Sequence, residues 1–157
     1  MPIIRIETYI KADINLCFDL SISIDLHKLS TAKTNEEAIA GTTSGLIKLN
    51  ETVTWQATHF GIRQKLTSLI SAHERPFHFR DEQVKGAFRS FKHDHYFEQK
   101  GKLVLMTDIF DYESPYGILG KCFNQLVLTK YLTGFLTRRN AMIKEFAETG
   151  KWKQILF

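Results

Sequence analysis

From Ile118 to Phe146 the apolar residues recur at helical spacing, and the chain offers no second helical pattern of comparable length. Leu119, Phe123, Leu126, Leu132, Phe135, Met142, Ile143 and Phe146 make up the stripe. A helix of about 30 residues extends about 45 Å at 1.5 Å per residue. A stripe that broad must pack against something of similar extent. Pro115 and Gly117 precede it, Gly134 can permit a bend, and Gly150 supplies a C-terminal stop.

The partner has to come from the residues before Pro115, which read mainly as strands. In Ile3 to Ile10, Ile4, Ile6 and Thr8 share one face and Arg5, Glu7 and Tyr9 the other. Asp13 then fits the N-cap of a short helix carrying Leu16, Cys17, Phe18 and Leu20, and a second helical piece is expected around Ile24 to Leu29. Glu36 to Gly41 reads as a strand, with a loop near Thr42 to Gly45. Val53, Trp55, Ala57 and His59 alternate with polar residues up to Gly61, which marks a hairpin turn before Ile62 to Ala72. Further strands are predicted from Pro76 to Gly86, through Phe91 to Glu98, and, after a turn at Lys100-Gly101, from Lys102 to Tyr112. About six successive strands joined by short turns favour an antiparallel sheet, and hence an α+β chain in which sheet and helix close on each other.

No linker, repeat or low-complexity segment divides residues 1–157, so one domain is expected. The net charge of +4 is scattered rather than clustered, which argues against a nucleic-acid partner. Cys17 and Cys122 are too few for a disulfide scaffold and read as buried thiols in a reducing compartment. The first residues form a strand pattern rather than a signal peptide, and no apolar run is long enough to span a bilayer. A cytoplasmic protein is the expectation, with a homodimeric state left open.

Several short motifs occur in a recognisable order. They are Val53-Thr54-Trp55-Gln56-Ala57-Thr58-His59-Phe60-Gly61, Arg75-Pro76, Phe79-Arg80-Asp81, Gly86-Ala87-Phe88, His93-Asp94-His95-Tyr96-Phe97 and Met106-Thr107-Asp108, followed by Tyr112, Pro115 and Gly117. From about Ile3 to Arg139 the chain resembles the START-like, or polyketide-cyclase (SRPBCC), superfamily, and within it a bacterial branch described only as ligand-binding. It departs from that pattern at Ala87, where relatives usually carry proline. The resemblance implies a helix-grip fold of the Bet v 1/START type, with a curved seven-stranded antiparallel sheet wrapped around the long C-terminal helix and enclosing a cavity. It implies no particular reaction, because a shared fold is only an analogy for function.

Taking the more aromatic strand faces as concave gives a candidate ligand site. Period-2 alternation groups His93 and His95 with Phe91 and Phe97, and His59 with Trp55. It also groups Asp81 with Phe77 and Phe79, and Asp108 with Met106, Phe110 and Tyr112. Phe135 would face these from the helix. The rings would supply an apolar wall, and the imidazoles and carboxylates would orient a lipid-like, aromatic or polyketide-like guest. Buried polar groups need partners, and Asp108 on the adjacent strand suits His93 or His95. Such a pair can equally serve strand register alone, or act in catalysis. In the catalytic form His93 and Asp108 would move a proton in a cyclase, dehydratase or isomerase. A third alternative is an interaction protein with a filled cavity.

His93-x-His95 presents two imidazoles on one face, with His59 or Asp108 as a conceivable third donor. That ligand set is incomplete, so no metal and no cofactor is assigned. Arg138, Arg139 and Lys144 are expected to complement the helix dipole, and the tail Lys151 to Phe157 to fold back on the domain. There is no GxSxG elbow and no phosphate-binding glycine loop.

Overall fold

The computed structural model describes residues 2–114 and 127–156. The expected residues Pro115, Gly117, Leu119, Cys122, Phe123 and Leu126 therefore lie outside the described residues.

Strand β1 (Ile3–Ile10) leads into α1 (Ile14–Ser21) and α2 (Ile24–Ser30). Asp13 caps α1 by accepting from the Asn15 and Leu16 amides, and the Ser23 hydroxyl accepts from the Leu26 amide at the start of α2. These helices carry the chain across to the far edge of the sheet. There β2 (Glu37–Gly41) begins a meander through β3 (Thr52–His59), β4 (Ile62–Glu74), β5 (His78–Lys85), β6 (Ser90–Lys100) and β7 (Leu103–Glu113). β7 pairs with β1, giving a seven-stranded antiparallel sheet in the order β1-β7-β6-β5-β4-β3-β2. Helix α3 (Thr129–Glu148) follows, and a short 3-10 turn and α4 (Lys153–Leu156) end the described chain.

The β3–β4 hairpin closes through Phe60-Gly61, with φ of 52° and 75° and His59 paired to Ile62. Two central residues of positive φ give the mirror-image turn whose twist suits antiparallel strands. Several strand boundaries shift by one or two residues from their expected positions. β5 starts at His78 rather than Pro76, because Glu74 to Phe77 forms a tight turn in which the Phe77 amide donates to the Glu74 carbonyl at 2.7 Å. Helix α3 stops before Gly150: Thr149 turns extended (ψ −178°) and its amide still donates to the Glu145 carbonyl. Gly150 directly follows this cap, where a stop is expected, and opens a 3-10 turn.

The interior is built from two apolar clusters. The larger joins Phe18, Leu20 and Leu26 of the first helices to Val104, Met106 and Phe97 of the sheet and to Ile143 and Phe146 of α3. Trp152, Ile155 and Leu156 of the tail pack onto its margin, so the tail does fold back. The smaller cluster holds Ile4, Phe91, Phe110, Tyr112 and Leu136. Between them lies a belt of polar side chains. On β7 the sequence Met106, Asp108, Phe110 passes from one cluster, through the belt, to the other; on β6 Phe97, His95, His93 and Phe91 do the same. On α3 the corresponding run is Ile143, Asn140, Arg139, Leu136.

Candidate functional site

Between the concave face of the sheet and α3 there is a cavity of about 600 Å³ among the described residues. Ala57, Ile70, Val53 and Trp55 provide much of its apolar sheet wall, and Leu132, Phe135 and Leu136 provide the helix side. It reaches the surface at the β3–β4 turn, where Phe60 and Ile62 line it and are themselves exposed. Its inner end is formed by Asp81, His93, His95, Arg139 and Ser21, where the polar belt meets the hollow.

The sheet register assembles this inner end. Asp81 of β5 pairs with His93 of β6, and His95 of β6 pairs with Asp108 of β7, so four alternating strand positions converge. His93 Nε2 bonds Asp108 Oδ1 at 3.0 Å, and His95 Nε2 bonds Asp81 Oδ1 at 2.8 Å. His95 Nδ1 comes within 2.9 Å of Asp108 Oδ1, but off the line of its ring N–H, so it lacks an aligned hydrogen bond. His93 Nδ1 is 3.7 Å from Asp81 Oδ1. Both imidazoles thus bridge both carboxylates. From α3, Asn140 Nδ2 donates to Asp108 Oδ2 at 2.6 Å, while Arg139 donates to Asn140 Oδ1 and to the Ser21 carbonyl, each at 3.1 Å. Phe79 stacks on His95 at 4.0 Å and Phe110 meets His93 edge-on at 5.1 Å, fixing both ring planes.

Burial alone would raise the pKa of Asp108, yet the bond from His93 and the close contact of His95 hold it well below the ordinary carboxylate value. Asp81 is lowered in the same way: burial opposes, and its bond from His95 and the charges of both histidines prevail. The histidines diverge. Burial pushes His93 down and the adjacent His95 pushes it further, whereas His95 is raised because Asp108 and Asp81 outweigh its burial. One imidazolium and the Arg139 guanidinium therefore balance two carboxylates, which is how the interior tolerates four charges.

Two more polar pairs edge the hollow. His59 Nδ1 and the Tyr131 hydroxyl of α3 are 2.6 Å apart near the mouth, with the His59 pKa lowered mainly by burial. Opposite, His27 Nε2 meets Glu36 Oε1 at 2.8 Å, and its ring lies 4.3 Å from that of Trp55.

No family model matches the sequence, and no curated protein does so significantly. Solved structures do match the fold. The protein TTHA0849 from Thermus thermophilus superposes with a TM-score of 0.72 at 17% identity, over 93% of this chain and 99% of its own. Major latex-like protein 151 from Panax ginseng gives 0.68 at 21% identity, covering 94% and 98%. A START superfamily protein from Mycobacterium smegmatis gives 0.70 at 9% identity, covering 92% and 98%. The fold is START-like. At these identities the likeness is one of fold, and the START-like helix grip accounts for both the curved sheet and the space beneath α3.

Within this START-like frame, Trp55, His59, Phe79, Asp81, Phe91, His93, His95, Phe110 and Phe135 of the expected site line the hollow. Phe97, Met106, Asp108 and Tyr112 share the concave face but sit behind it, covered by other side chains. Phe97 is sealed by Phe18 at 5.4 Å between ring centres, and the Met106 sulfur accepts from the Ser21 hydroxyl at 3.6 Å. Asp108 is roofed by the two histidines and Asn140, and the Tyr112 hydroxyl is 2.5 Å from that of Thr129. Phe77 corrects the alternation: it sits in the turn before β5, 60% exposed, outside the hollow.

Arg139 is a second correction. It is buried and belongs to the polar belt rather than answering the helix dipole. Its position between Phe135 and Ile143, four residues from each, places it on the apolar stripe, and that spacing was the available signal. Asn140 and Tyr131 were also missed, since each acquires its role only from a partner distant in sequence, as were His27 and Glu36, which meet across the loop between α2 and β2.

Proposed function

We propose that this protein binds a small, largely apolar molecule in the hollow between sheet and α3, oriented by the polar groups at its inner end. One observation carries the reading: an apolar-walled cavity of about 600 Å³ ends on buried His93, His95 and Arg139 and half-buried Asp81 rather than on packed core. Ligand sites commonly combine such walls with a few convergent polar groups. A lipid-like, aromatic or polyketide-like guest with one polar end matches that division. The filled-cavity alternative has no support from a hollow of this size.

Native mass spectrometry of the purified protein should find a non-covalent adduct, or a fluorescent apolar probe should bind with a single-site isotherm. Ala57→Phe puts a ring where the β3 wall is smallest, and should weaken probe binding by at least about tenfold, or 1.4 kcal/mol. Unchanged probe affinity in a folded Ala57→Phe protein would refute occupancy of the hollow.

An acid–base role is a second reading, favoured by the His93–Asp108 bond. Asp108 holds Nε2, burial keeps His93 in the neutral form, and the ring lines the hollow. Loss of turnover of a carbonyl-bearing guest in folded His93→Ala protein would support it; retention would remove it.

A further inference from the structure

The paired histidines on β6 lack a third donor in the sequence pattern, and β5 supplies one. One donor atom from each of Asp81, His93 and His95 lies within 4.8 Å of the others. Asp81 Oδ1 is 2.8 Å from His95 Nε2 and 3.7 Å from His93 Nδ1. Bonds of about 2.0–2.2 Å to one ion would set ligand atoms about 3.0–3.5 Å apart. The 2.8 Å contact must open and the wider separations, none above 4.8 Å, must close by at most about 1.3 Å to bring the three onto such an ion.

The surroundings suit coordination. Metal-bound histidines normally donate their other ring N–H to a carboxylate, which fixes the tautomer and aims the free lone pair. Here the other nitrogens of both rings, His93 Nε2 and His95 Nδ1, face the same Asp108 oxygen at 3.0 and 2.9 Å. Asn140 anchors that carboxylate from α3. Of the two histidine contacts only that of His93 is an aligned hydrogen bond; His95 Nδ1 is buried beside the carboxylate without one. The Asp81 side chain keeps 22% of its surface open, and it lines the hollow.

We infer that Asp81, His93 and His95 form a three-donor site for a first-row divalent cation, with Asp108 as their shared outer carboxylate and the remaining coordination positions facing the hollow. Two nitrogens and one oxygen suit zinc, cobalt(II), iron(II) or manganese(II) rather than the all-oxygen preference of calcium or magnesium. The site gives the polar end of the hollow a Lewis acid that an oxygen-bearing guest can meet. It stands apart from the apolar-guest proposal, because the ion alone suffices to test it.

Chelator-treated protein is equilibrated with cobalt(II), freed of excess by gel filtration, and analysed for metal and for visible ligand-field absorption. One retained equivalent with such a spectrum is expected. Asp81→Asn and His95→Gln should each weaken binding by about 100-fold or more, whereas His78→Gln, on the other face of β5, should not change it. Zinc should also shift the His93 and His95 ring resonances of the unaltered protein, a readout independent of variant folding. Absence of retained cobalt, unshifted resonances, or binding indifferent to both Asp81→Asn and His95→Gln would overturn the assignment.

Discussion

Replacing Asp108 by alanine should be among the most damaging single changes this protein can suffer. The carboxylate is 1% exposed and receives His93 and Asn140 directly, with His95 and Arg139 at 2.9 and 3.7 Å. Without it, Arg139 remains buried with only neutral acceptors, Asn140 Oδ1 and the Ser21 carbonyl. Removing one member of a buried charge pair costs about 3–5 kcal/mol. At about 2–4 °C per kcal/mol for a chain of this size, the midpoint of thermal unfolding should fall by about 6–20 °C. Asp19→Ala, which breaks the bidentate surface pair with Arg75, should cost no more than about 1 kcal/mol. The decisive comparison is the double variant Asp108→Leu/Arg139→Met, which removes both charges together. It should recover at least about 2 kcal/mol of the Asp108→Ala loss, since well-packed apolar replacements of buried ion pairs are often nearly neutral. Thermal and urea unfolding followed by circular dichroism measure all four proteins. If Asp108→Ala unfolds within about 2 °C of the parent, or the double variant recovers nothing, the charge-balance argument is wrong.

The His59 imidazole, depressed by burial and opposed only by Glu36, should titrate below 6.5 by NMR. Because its folded pKa lies below the unfolded one, its contribution is complete above about pH 6.5 and is lost as pH falls towards the folded value. His59→Gln should flatten that part of the stability profile; an unchanged profile would count against the latch with Tyr131. Cys17, pushed up to about 12 by burial and secondly by Asp13, should resist alkylation at pH 8 until the protein unfolds, as read by peptide mass mapping. Phe18→Ala should cost about 3–5 kcal/mol in urea unfolding, because three aromatic partners, His73, Phe79 and Phe97, surround a ring with no exposed surface.

Much of the frame could be read from alternation. Val53, Trp55, Ala57 and His59 face inward as their spacing requires, and His93 and His95 share a buried face with Phe91 and Phe97. The alternation failed at Phe77, where a turn interrupts the period that would have carried it inward. Pattern also could not separate the layer that touches the hollow from the layer behind it. Met106 and His93 lie on equivalent faces, but α1 covers only the former. The helix side was less legible. Arg139 is marked only by its place on the apolar stripe, and Asn140 looks like an ordinary surface residue until the sheet presents Asp108 opposite it. Asp81 likewise becomes a third donor only through the β5–β6 register that sets it beside His93.

The polar belt has a mechanical consequence for α3. An oily groove alone grips a rod loosely, since Leu136, Ile143 and Phe146 could trade places along it with modest loss. Arg139 and Asn140 forbid that exchange. Sliding by one turn, about 5.4 Å, would set Leu136 or Ile143 against Asp108 and strand a guanidinium among hydrocarbons. The charges therefore act as a detent that locks the axial setting of the helix, and with it the depth of the chamber beneath.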